Sequence, residues 1–239
     1  MQRAARSHPQ QPQNLLLAAL PPRDYRRLAP HLEPVSLVFG QVLYEPGMGV
    51  KHAYFPCDSV ISLLAVASPG KSAEVAMVGR EGVVGGFAAL GVRVSQLQAV
   101  VQRTGTALRI ASSQLQAELG GSGVWFREAF RLTHTLMNQA AQSAVCNRFH
   151  TVEGRLARWL LTTRDRMQSN HFRLTHAFLS LMVGARRVGI TSAAAEFQRR
   201  GLITYVRGNI QILNPGGLKS AACACYAANP GVERTVRRR

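Results

Sequence analysis

Two consecutive arginines, Arg186 and Arg187, carry the strongest chemical signal in this 239-residue sequence. An arginine side chain presents a planar fork of N–H donors that matches the O6 and N7 acceptors of guanine. Val188 can contact a thymine methyl group, and Thr191 and Ser192 follow one turn later with short polar side chains. The segment therefore predicts base recognition by a helix, with a solvated arginine pair on an amphipathic helix as the alternative.

The spacing around the arginine pair predicts a helix-turn-helix. Thr175 caps a first helix over 176–182, and a second helix covers about 186–199 after a turn at Gly184. Such a motif needs a small residue where the two helices cross, and Ser180 supplies it. The apolar positions that the motif buries fall on Leu179, Val183, Ala185, Ile190 and Ala193.

A β-hairpin is predicted immediately after this motif. Two short β runs, 204–207 and 210–213, flank Gly208-Asn209 and place Arg207 at the tip. A helix-turn-helix followed by a hairpin is a winged helix, whose edges fix its register on DNA through phosphate contacts. The predicted DNA-binding residues are Arg173, Thr175, His176, Arg186, Arg187, Val188, Thr191, Ser192 and Arg207.

Positive charge is concentrated in the same part of the chain. The formal net charge is +17; residues 151–239 have 15 basic and 4 acidic side chains, and residues 1–150 have 14 and 8. A field of this sign favours a polyanionic partner such as double-stranded DNA. A non-specific nucleic-acid-binding or architectural protein is the alternative, which the tail Arg237-Arg238-Arg239 also favours.

The N-terminal half predicts antiparallel β-structure. Residues 1–13 are polar and rich in proline and glutamine, and they predict a disordered arm. Short helices broken at Pro21-Pro22 and Pro30 follow. Short β runs separated by turn residues then indicate a sandwich or a barrel. These runs are 35–39, 41–44, 60–66, 74–78, 97–102 and 107–110.

A long helix is predicted from its cap at Ser122 to about residue 148, where the apolar period becomes helical. We expect one of its stripes to form the seam of a homodimer, because two small alanines allow close approach of two helices. A core helix is the alternative. The stripe contains Phe126, Phe130, Met137, Ala140 and Ala144. After a boundary at 147–151, a further helix is predicted over 152–166.

Neither a membrane span nor an enzyme is predicted. The longest early apolar run, 15–20, is too short to span a bilayer; it could belong to a signal peptide, although no small-residue cleavage site follows. No GxSxG, Walker or HExxH pattern occurs, and His134 is expected to pack in a core or dimer interface rather than act as a base.

The four cysteines, Cys57, Cys146, Cys223 and Cys225, predict reduced thiols in a cytoplasmic protein rather than a disulfide framework. Cys223-Ala224-Cys225 is a C-x-C pair without a second pair at zinc spacing. We therefore predict neither a metal site nor a cofactor from the sequence.

The order of these elements, over about residues 14–226, resembles the Crp/Fnr superfamily of bacterial transcription regulators. The most specific segments are Val183-Gly184-Ala185-Arg186-Arg187 and Arg200-Gly201-Leu202-Ile203. The resemblance implies an α+β fold and a cytoplasmic homodimer on a two-fold DNA site, with an N-terminal sensor domain that gates DNA binding. The implied parts are a β-roll of the cyclic-nucleotide-binding type over 14–121, a dimerisation helix over 122–150 and a winged helix-turn-helix over 151–239.

The implied β-roll departs from the pattern of family members that bind cyclic AMP. Those members carry Gly-Glu and later Arg-Ser-Ala, where this sequence has Gly85-Gly86 and Leu97-Gln98-Ala99. Because the ribose carboxylate and the phosphate arginine are both missing, we predict that cyclic AMP does not bind. A pocket for another effector, which the sequence does not identify, would use Arg80, Glu81, Gly85, Gly86, Leu97, Ala140 and Ala141. A loop salt bridge between Arg80 and Glu81 is the alternative.

Other features of the resemblance also differ here. The first cysteine is Cys57, so the N-terminal cysteine cluster of the iron–sulfur branch is absent, and His52 and Cys57 are only alternatives as haem ligands. Val188 stands where the cyclic-AMP type has glutamate, which predicts a different operator base pair. RNA polymerase would be a partner of an activator. A small-molecule-binding module that acts through protein contacts is a further alternative.

Overall fold

The computed structural model describes residues 13–119 and 122–228. The predicted arm at 1–13 lies outside these ranges except for its last residue, and so does the tail Arg237-Arg238-Arg239. Within the described ranges, no helix has both the length and the apolar character needed to cross a bilayer.

Seven antiparallel strands form the β-roll. They are β1 (Glu33–Leu37), β2 (Val42–Tyr44), β3 (His52–Pro56), β4 (Val60–Ser68), β5 (Lys71–Val78), β6 (Gln98–Arg103) and β7 (Gly105–Ala111). One sheet has the order β1-β7-β3 and the other β2-β6-β4-β5. Leu37 and Ala107 from the first sheet share a core with Ile61 and Ala99 from the second, as expected for two sheets packed face to face.

Strand β3 has no counterpart in the sequence analysis because both of its faces are buried. Ala53 and Phe55 pack into a cluster with the N-terminal helices, while Tyr54 packs into the core between the sheets. A strand buried on both sides lacks the apolar–polar alternation that marks a half-exposed strand.

Three short helices pack against strands β3 and β7 of the first sheet. They are α1 (Leu15–Ala18), α2 (Pro22–Leu28), which continues into a 3-10 turn at Ala29–His31, and α3 (Ser112–Leu119). The Asn14 side chain caps α1 by accepting from the amides of Leu16 and Leu17, and it donates to the carbonyls of Pro56 and Gly82. The apolar run of α1 is thereby fixed within the core.

The long helix α4 (Gly123–Phe149) begins at Ser122, whose hydroxyl accepts from the Trp125 amide at 3.3 Å. Its 27 residues span about 40 Å. Trp125 and Ala129 are buried against the β-roll. Helix α5 (Val152–Met167) follows after a short break and begins at its cap Thr151.

The C-terminal domain adds four helices and a small sheet to α5. Its elements are β8 (His171–Arg173), α6 (His176–Val183), α7 (Arg187–Arg199), β9 (Ile203–Val206), β10 (Asn209–Ile212), α8 (Pro215–Ala221) and α9 (Cys225–Ala228). The strands pair antiparallel in the order β8-β10-β9. Helices α8 and α9 pack on α5.

The C-terminal domain packs directly on the β-roll. One hydrophobic cluster contains Val60 and Met77 of the β-roll together with Trp159 and Leu179 of the C-terminal domain. The Gln102 side-chain amide donates to the Thr163 hydroxyl at 3.0 Å across the same interface. The two domains therefore share one core in this conformation.

Candidate nucleic-acid interface

Four of the five apolar positions that were predicted to be buried in the helix-turn-helix between α6 and α7 are buried, and the fifth, Ala185, is half-buried. Leu179, Ile190 and Ala193 are fully buried. The Ser180 hydroxyl donates to the Ala185 carbonyl at 2.6 Å and so ties the two sides of the turn together. Gly184 adopts φ 64°, in the left-handed region that ends α6 and that glycine adopts without a Cβ penalty.

The start of α7 is open to solvent. Arg186 occupies the N-cap position, and it is exposed together with Arg187, Val188, Thr191 and Ser192. Val188 is 73% exposed, which is high for an apolar side chain on a packed helix. Among the described residues, neither Arg186 nor Arg187 forms an ion pair.

The wing is the β9–β10 hairpin, and its turn lies one residue earlier than predicted. Arg207 (φ 49°) and Gly208 (φ 82°) form the turn, and Asn209 is already paired with Val206 as the first residue of β10. A type I′ hairpin turn needs positive φ at both of its central residues, and Arg207-Gly208 meets that condition. Arg207 remains at the tip, as predicted.

A groove between α7 and the wing brings together five of the predicted DNA-binding residues. They are Thr175, His176, Arg187, Thr191 and Arg207. Arg173 lies instead beside Arg207 along the face formed by β8 and β10. Gln198 and Tyr205, which were not predicted, also line the groove. The Gln198 side-chain carbonyl accepts from the Tyr205 amide at 2.8 Å and joins α7 to the wing.

His176 is half-buried in this groove, whereas Arg187 and Thr191 are exposed. The His176 ring packs against that of Tyr205 at an interplanar angle of 48° with centroids 4.4 Å apart, and its Nδ1 is 3.0 Å from the Thr191 hydroxyl. Burial, with a smaller contribution from the charge of Arg187, lowers the pKa of His176. In this structure the ring therefore holds α6, α7 and the wing together. Thr175 is exposed and accepts from the Phe178 amide as the cap of α6.

The predicted dimer stripe on α4 is largely uncovered in the single chain. Phe130 is 75% exposed and Met137 is 61% exposed; Phe126 and Ala144 are also exposed, and Ala140 is half-buried. Val145 and Phe149 extend the exposed apolar surface toward the end of the helix. The buried side of α4 carries other residues, such as Trp125.

The predicted effector residues have separate packing roles. Glu81 forms an ion pair with Arg166 of α5 at 3.6 Å. A Cβ on Gly85 would lie 2.7 Å from the His52 carbonyl oxygen, and one on Gly86 would lie 2.5 Å from the Val83 side chain. Both glycines are therefore tightly packed. Of the remaining residues, Leu97 packs into the β-roll core, Ala140 is half-buried, and Arg80 and Ala141 lie nearer the surface.

The comparisons with known proteins identify both the domain and the fold. Residues 154–221 match the family model of the Crp-like helix-turn-helix domain. No protein with curated annotation matches the chain by sequence.

Solved structures of Crp/Fnr proteins share the fold over most of the chain. A transcriptional regulator of the Crp/Fnr family from Thermus thermophilus, TTHA1359, has a TM-score of 0.67 at 22% identity, covering 80% of this chain and 98% of its own. FixK2 from Bradyrhizobium japonicum has a TM-score of 0.67 at 15% identity and covers 81% and 98%. A protein from Eubacterium rectale described as a regulator of the same family reaches 0.70 at 16% identity, covering 86% and 96%.

Proposed function

We propose that this chain, which carries a Crp-like helix-turn-helix domain within a Crp/Fnr fold, acts as a homodimeric, sequence-specific DNA-binding transcription regulator. The observation that carries the proposal is the pair Arg186 and Arg187 at the start of α7, which is exposed and has no ion-pair partner within residues 13–119 and 122–228. Residues at the N-terminus of such a helix contact base edges when the helix enters the major groove. One bidentate arginine–guanine pair contributes about 1–3 kcal/mol of discrimination.

The arrangement of the groove beside α7 suits base contacts from one set of side chains and phosphate contacts from another. Arg187 and Thr191 belong to the recognition helix, while Arg207 approaches from the wing and Thr175 from the start of α6. We expect Arg207, Thr175 and Arg173 to contact phosphates, which sets the register without reading sequence. His176 contributes by holding Thr191 in place rather than by projecting toward a base.

The exposed stripe on α4 supports a second copy of this chain as the partner. Phe126, Phe130 and Met137 would be costly to leave in water along a 27-residue helix. A two-fold pairing of α4 would present two copies of α7, which suits a DNA site with two-fold symmetry.

The β-roll of this regulator does not bind cyclic AMP under this proposal. Gly85 and Gly86 are packed against β3 and Val83, and Glu81 is already paired with Arg166. A buried phosphate needs a cation or several hydrogen-bond donors to offset its desolvation. The residues at 97–99, Leu-Gln-Ala, provide no cation.

Selection of binding sites from random DNA tests the proposal. At a fixed salt concentration near the physiological value, the full chain is expected to enrich a two-fold motif with half-sites about one helical turn apart. Arg187→Ala is expected to lose about 1–3 kcal/mol of specific affinity and to relax one base position in each half-site. Arg199→Ala is the matched control, because Arg199 lies at the far end of α7 and is paired with Glu196.

Two results would contradict the proposal. Strong retention of DNA without any enriched motif, with an equally steep salt dependence for every sequence, would indicate charge-driven, non-specific binding. An unchanged motif and affinity in the Arg187→Ala variant would exclude that residue from base recognition.

A further inference from the structure

Three cysteines and one histidine meet where α4 joins the C-terminal domain. We call Cys146, His150, Cys223 and Cys225 the Cys3His cluster. Their four potential ligand atoms all lie within 4.8 Å of one another. Cys146 Sγ is 3.9 Å from Cys223 Sγ, and Cys225 Sγ is 3.6 Å from His150 Nδ1. Cys146 and Cys225 are buried, and the other two residues are half-buried.

Two of these separations match the ligand shell of one tetrahedral ion, and the other pairs, all within 4.8 Å, would have to close by at most about 1 Å on metal binding. With bonds of about 2.3 Å to sulfur and about 2.0 Å to nitrogen, a tetrahedral zinc ion holds two sulfurs about 3.8 Å apart, and a sulfur and a nitrogen about 3.5 Å apart. The two distances in the cluster differ from these values by about 0.1 Å. Thiolate and imidazole are the ligands that zinc prefers in structural sites.

Local structure brings the four residues together from distant parts of the chain. Cys146 and His150 are four residues apart at the end of α4 and therefore lie on the same side, and the His150 amide donates to the Cys146 carbonyl at 3.1 Å. The Cys223 amide donates to the Gly154 carbonyl at 3.1 Å, which attaches the C-x-C pair to the first turn of α5. The cluster is thus positioned by backbone contacts that do not depend on a metal.

Burial raises the pKa of Cys223, and it raises that of Cys225 to about 12, so these thiols would lose their protons only on binding a metal. Polar and cationic side chains around the cluster would then stabilise the thiolates. The Gln142 side-chain amide donates to Cys225 Sγ at 2.7 Å. The guanidinium of Arg155 interacts electrostatically with Cys146 and Cys223, and that of Arg158 with Cys223. Three thiolates, one neutral imidazole and Zn²⁺ carry a net charge of −1, and these arginines would offset it.

We propose that the Cys3His cluster binds one zinc ion in a closed, four-coordinate structural site that joins α4 to the α8–α9 segment. The protein supplies all four ligands and leaves no open position, as in structural rather than catalytic zinc sites. A disulfide between Cys146 and Cys223 would use only two of the four donors. It would leave the approach of Cys225 and His150 to the same point unexplained.

Metal analysis of the intact chain tests the site without any substitution. The full-length protein is purified without chelator, in reducing buffer and without oxygen. Inductively coupled plasma mass spectrometry is then expected to find about one zinc ion per chain. After zinc removal, Co²⁺ is the probe. It is expected to produce the visible absorption of tetrahedral thiolate coordination, which added Zn²⁺ abolishes because zinc binds more tightly.

Variants with matched controls identify the ligands. Cys223→Ser and His150→Gln are each expected to reduce the cobalt absorption at limiting Co²⁺ by about tenfold or more. Cys57→Ser and His134→Gln are expected to retain it, because Cys57 lies in the β-roll and His134 is exposed elsewhere on α4. Circular dichroism checks folding; if a variant does not fold, the cobalt spectrum of the unsubstituted chain still decides the question.

Several results would overturn the proposal. These are a reduced, folded chain that holds no metal and gives no cobalt absorption, cobalt absorption that survives both ligand substitutions, and isolation of the chain with a multi-iron cluster. An oxidised Cys146–Cys223 pair that persists in reducing buffer and excludes Co²⁺ would assign the cluster to disulfide chemistry instead.

Discussion

Replacing Glu74 by glutamine is expected to stabilise the protein above about pH 7 and to remove part of the pH dependence of its stability. Glu74 lies on β5 at the interface with α5. Its Oε1 accepts from Trp159 Nε1 at 3.0 Å, and its Oε2 accepts from the Ser62 hydroxyl at 2.6 Å. The residue as a whole is half-buried, but its carboxyl group is enclosed. Burial raises the pKa of Glu74 to about 7 and outweighs these hydrogen bonds and the nearby positive charges.

The direction of this pKa shift fixes the sign of the effect. A carboxyl group whose pKa is higher in the folded state favours folding when protonated. Its stabilisation is complete below the ordinary pKa of 4.5 and is lost as the pH rises to about 7. The difference between these two values corresponds to at most about 3 kcal/mol between the ends of the window.

Glutamine can replace the protonated carboxyl group without breaking the local hydrogen bonds. Its carbonyl can accept from Trp159, and its amide can donate to Ser62. The Ser62 hydroxyl is then free to donate to Gln102 Oε1, which lies 3.0 Å away, and Gln102 in turn donates to Thr163 of α5. The variant therefore keeps a continuous polar chain across the interface and cannot ionise.

Chemical denaturation between about pH 5 and pH 8 measures the effect. Glu74→Gln is expected to exceed the free energy of unfolding of the original chain by less than about 1 kcal/mol near pH 5 and by up to about 3 kcal/mol near pH 8. The control is Glu33→Gln on the exposed edge of β1; a hydrogen bond to Arg109 lowers the pKa of Glu33, so this group stays ionised throughout the window. A Glu74→Gln chain that loses stability between these pH values as steeply as the original would refute the reasoning.

Three further predictions concern dimerisation, the turn and the β-roll. Phe130→Glu, on the exposed stripe of α4, is expected to shift the protein to monomers in analytical ultracentrifugation, whereas Val92→Glu on an exposed loop leaves the assembly unchanged. Gly184→Ala is expected to lower the free energy of unfolding by about 1–2 kcal/mol, because alanine is strained at positive φ. The steric clash of its Cβ with Ala73 would lower it further, and an unchanged denaturation midpoint would contradict this. Titration calorimetry with micromolar cyclic AMP is expected to show no binding, and saturable heat would disprove that expectation.

Local spacing made the helix-turn-helix predictable. The capping Thr175, the crowded Ser180 and the turn glycine Gly184 act through neighbours within a few residues, so their types indicate their roles directly. The hairpin was predicted with a turn one residue too late, because Asn209 favours turns but pairs as a strand residue here. Strand β8 was not predicted because its three residues include a single apolar side chain, Phe172, between two polar ones, which gives no strand pattern.

Contacts between residues far apart in the sequence could not be predicted from local spacing. Cys146 and Cys223 are 77 residues apart, and only the packing of α8 and α9 on α5 brings them together. The four-residue interval between Cys146 and His150 was a usable signal, since it places both side chains on one side of a helix. Glu74 gave no signal, because its enclosure results from an interdomain contact with Trp159.

The turn at Gly184 contacts Ala73 of the β-roll next to the start of α7, the proposed recognition helix. A Cβ on Gly184 would lie only 2.9 Å from the Ala73 side chain, so the turn before α7 rests on the β4–β5 hairpin. Helix α7 extends about 20 Å from that point, and a tilt of about 10° would move its far end by about 3.5 Å. That displacement is close to the rise of one DNA base pair, about 3.4 Å. Because Arg186 and Arg187 lie beside this contact, such a tilt would move the far end of α7 by that amount and would change mainly the angle, rather than the position, of the base-reading residues.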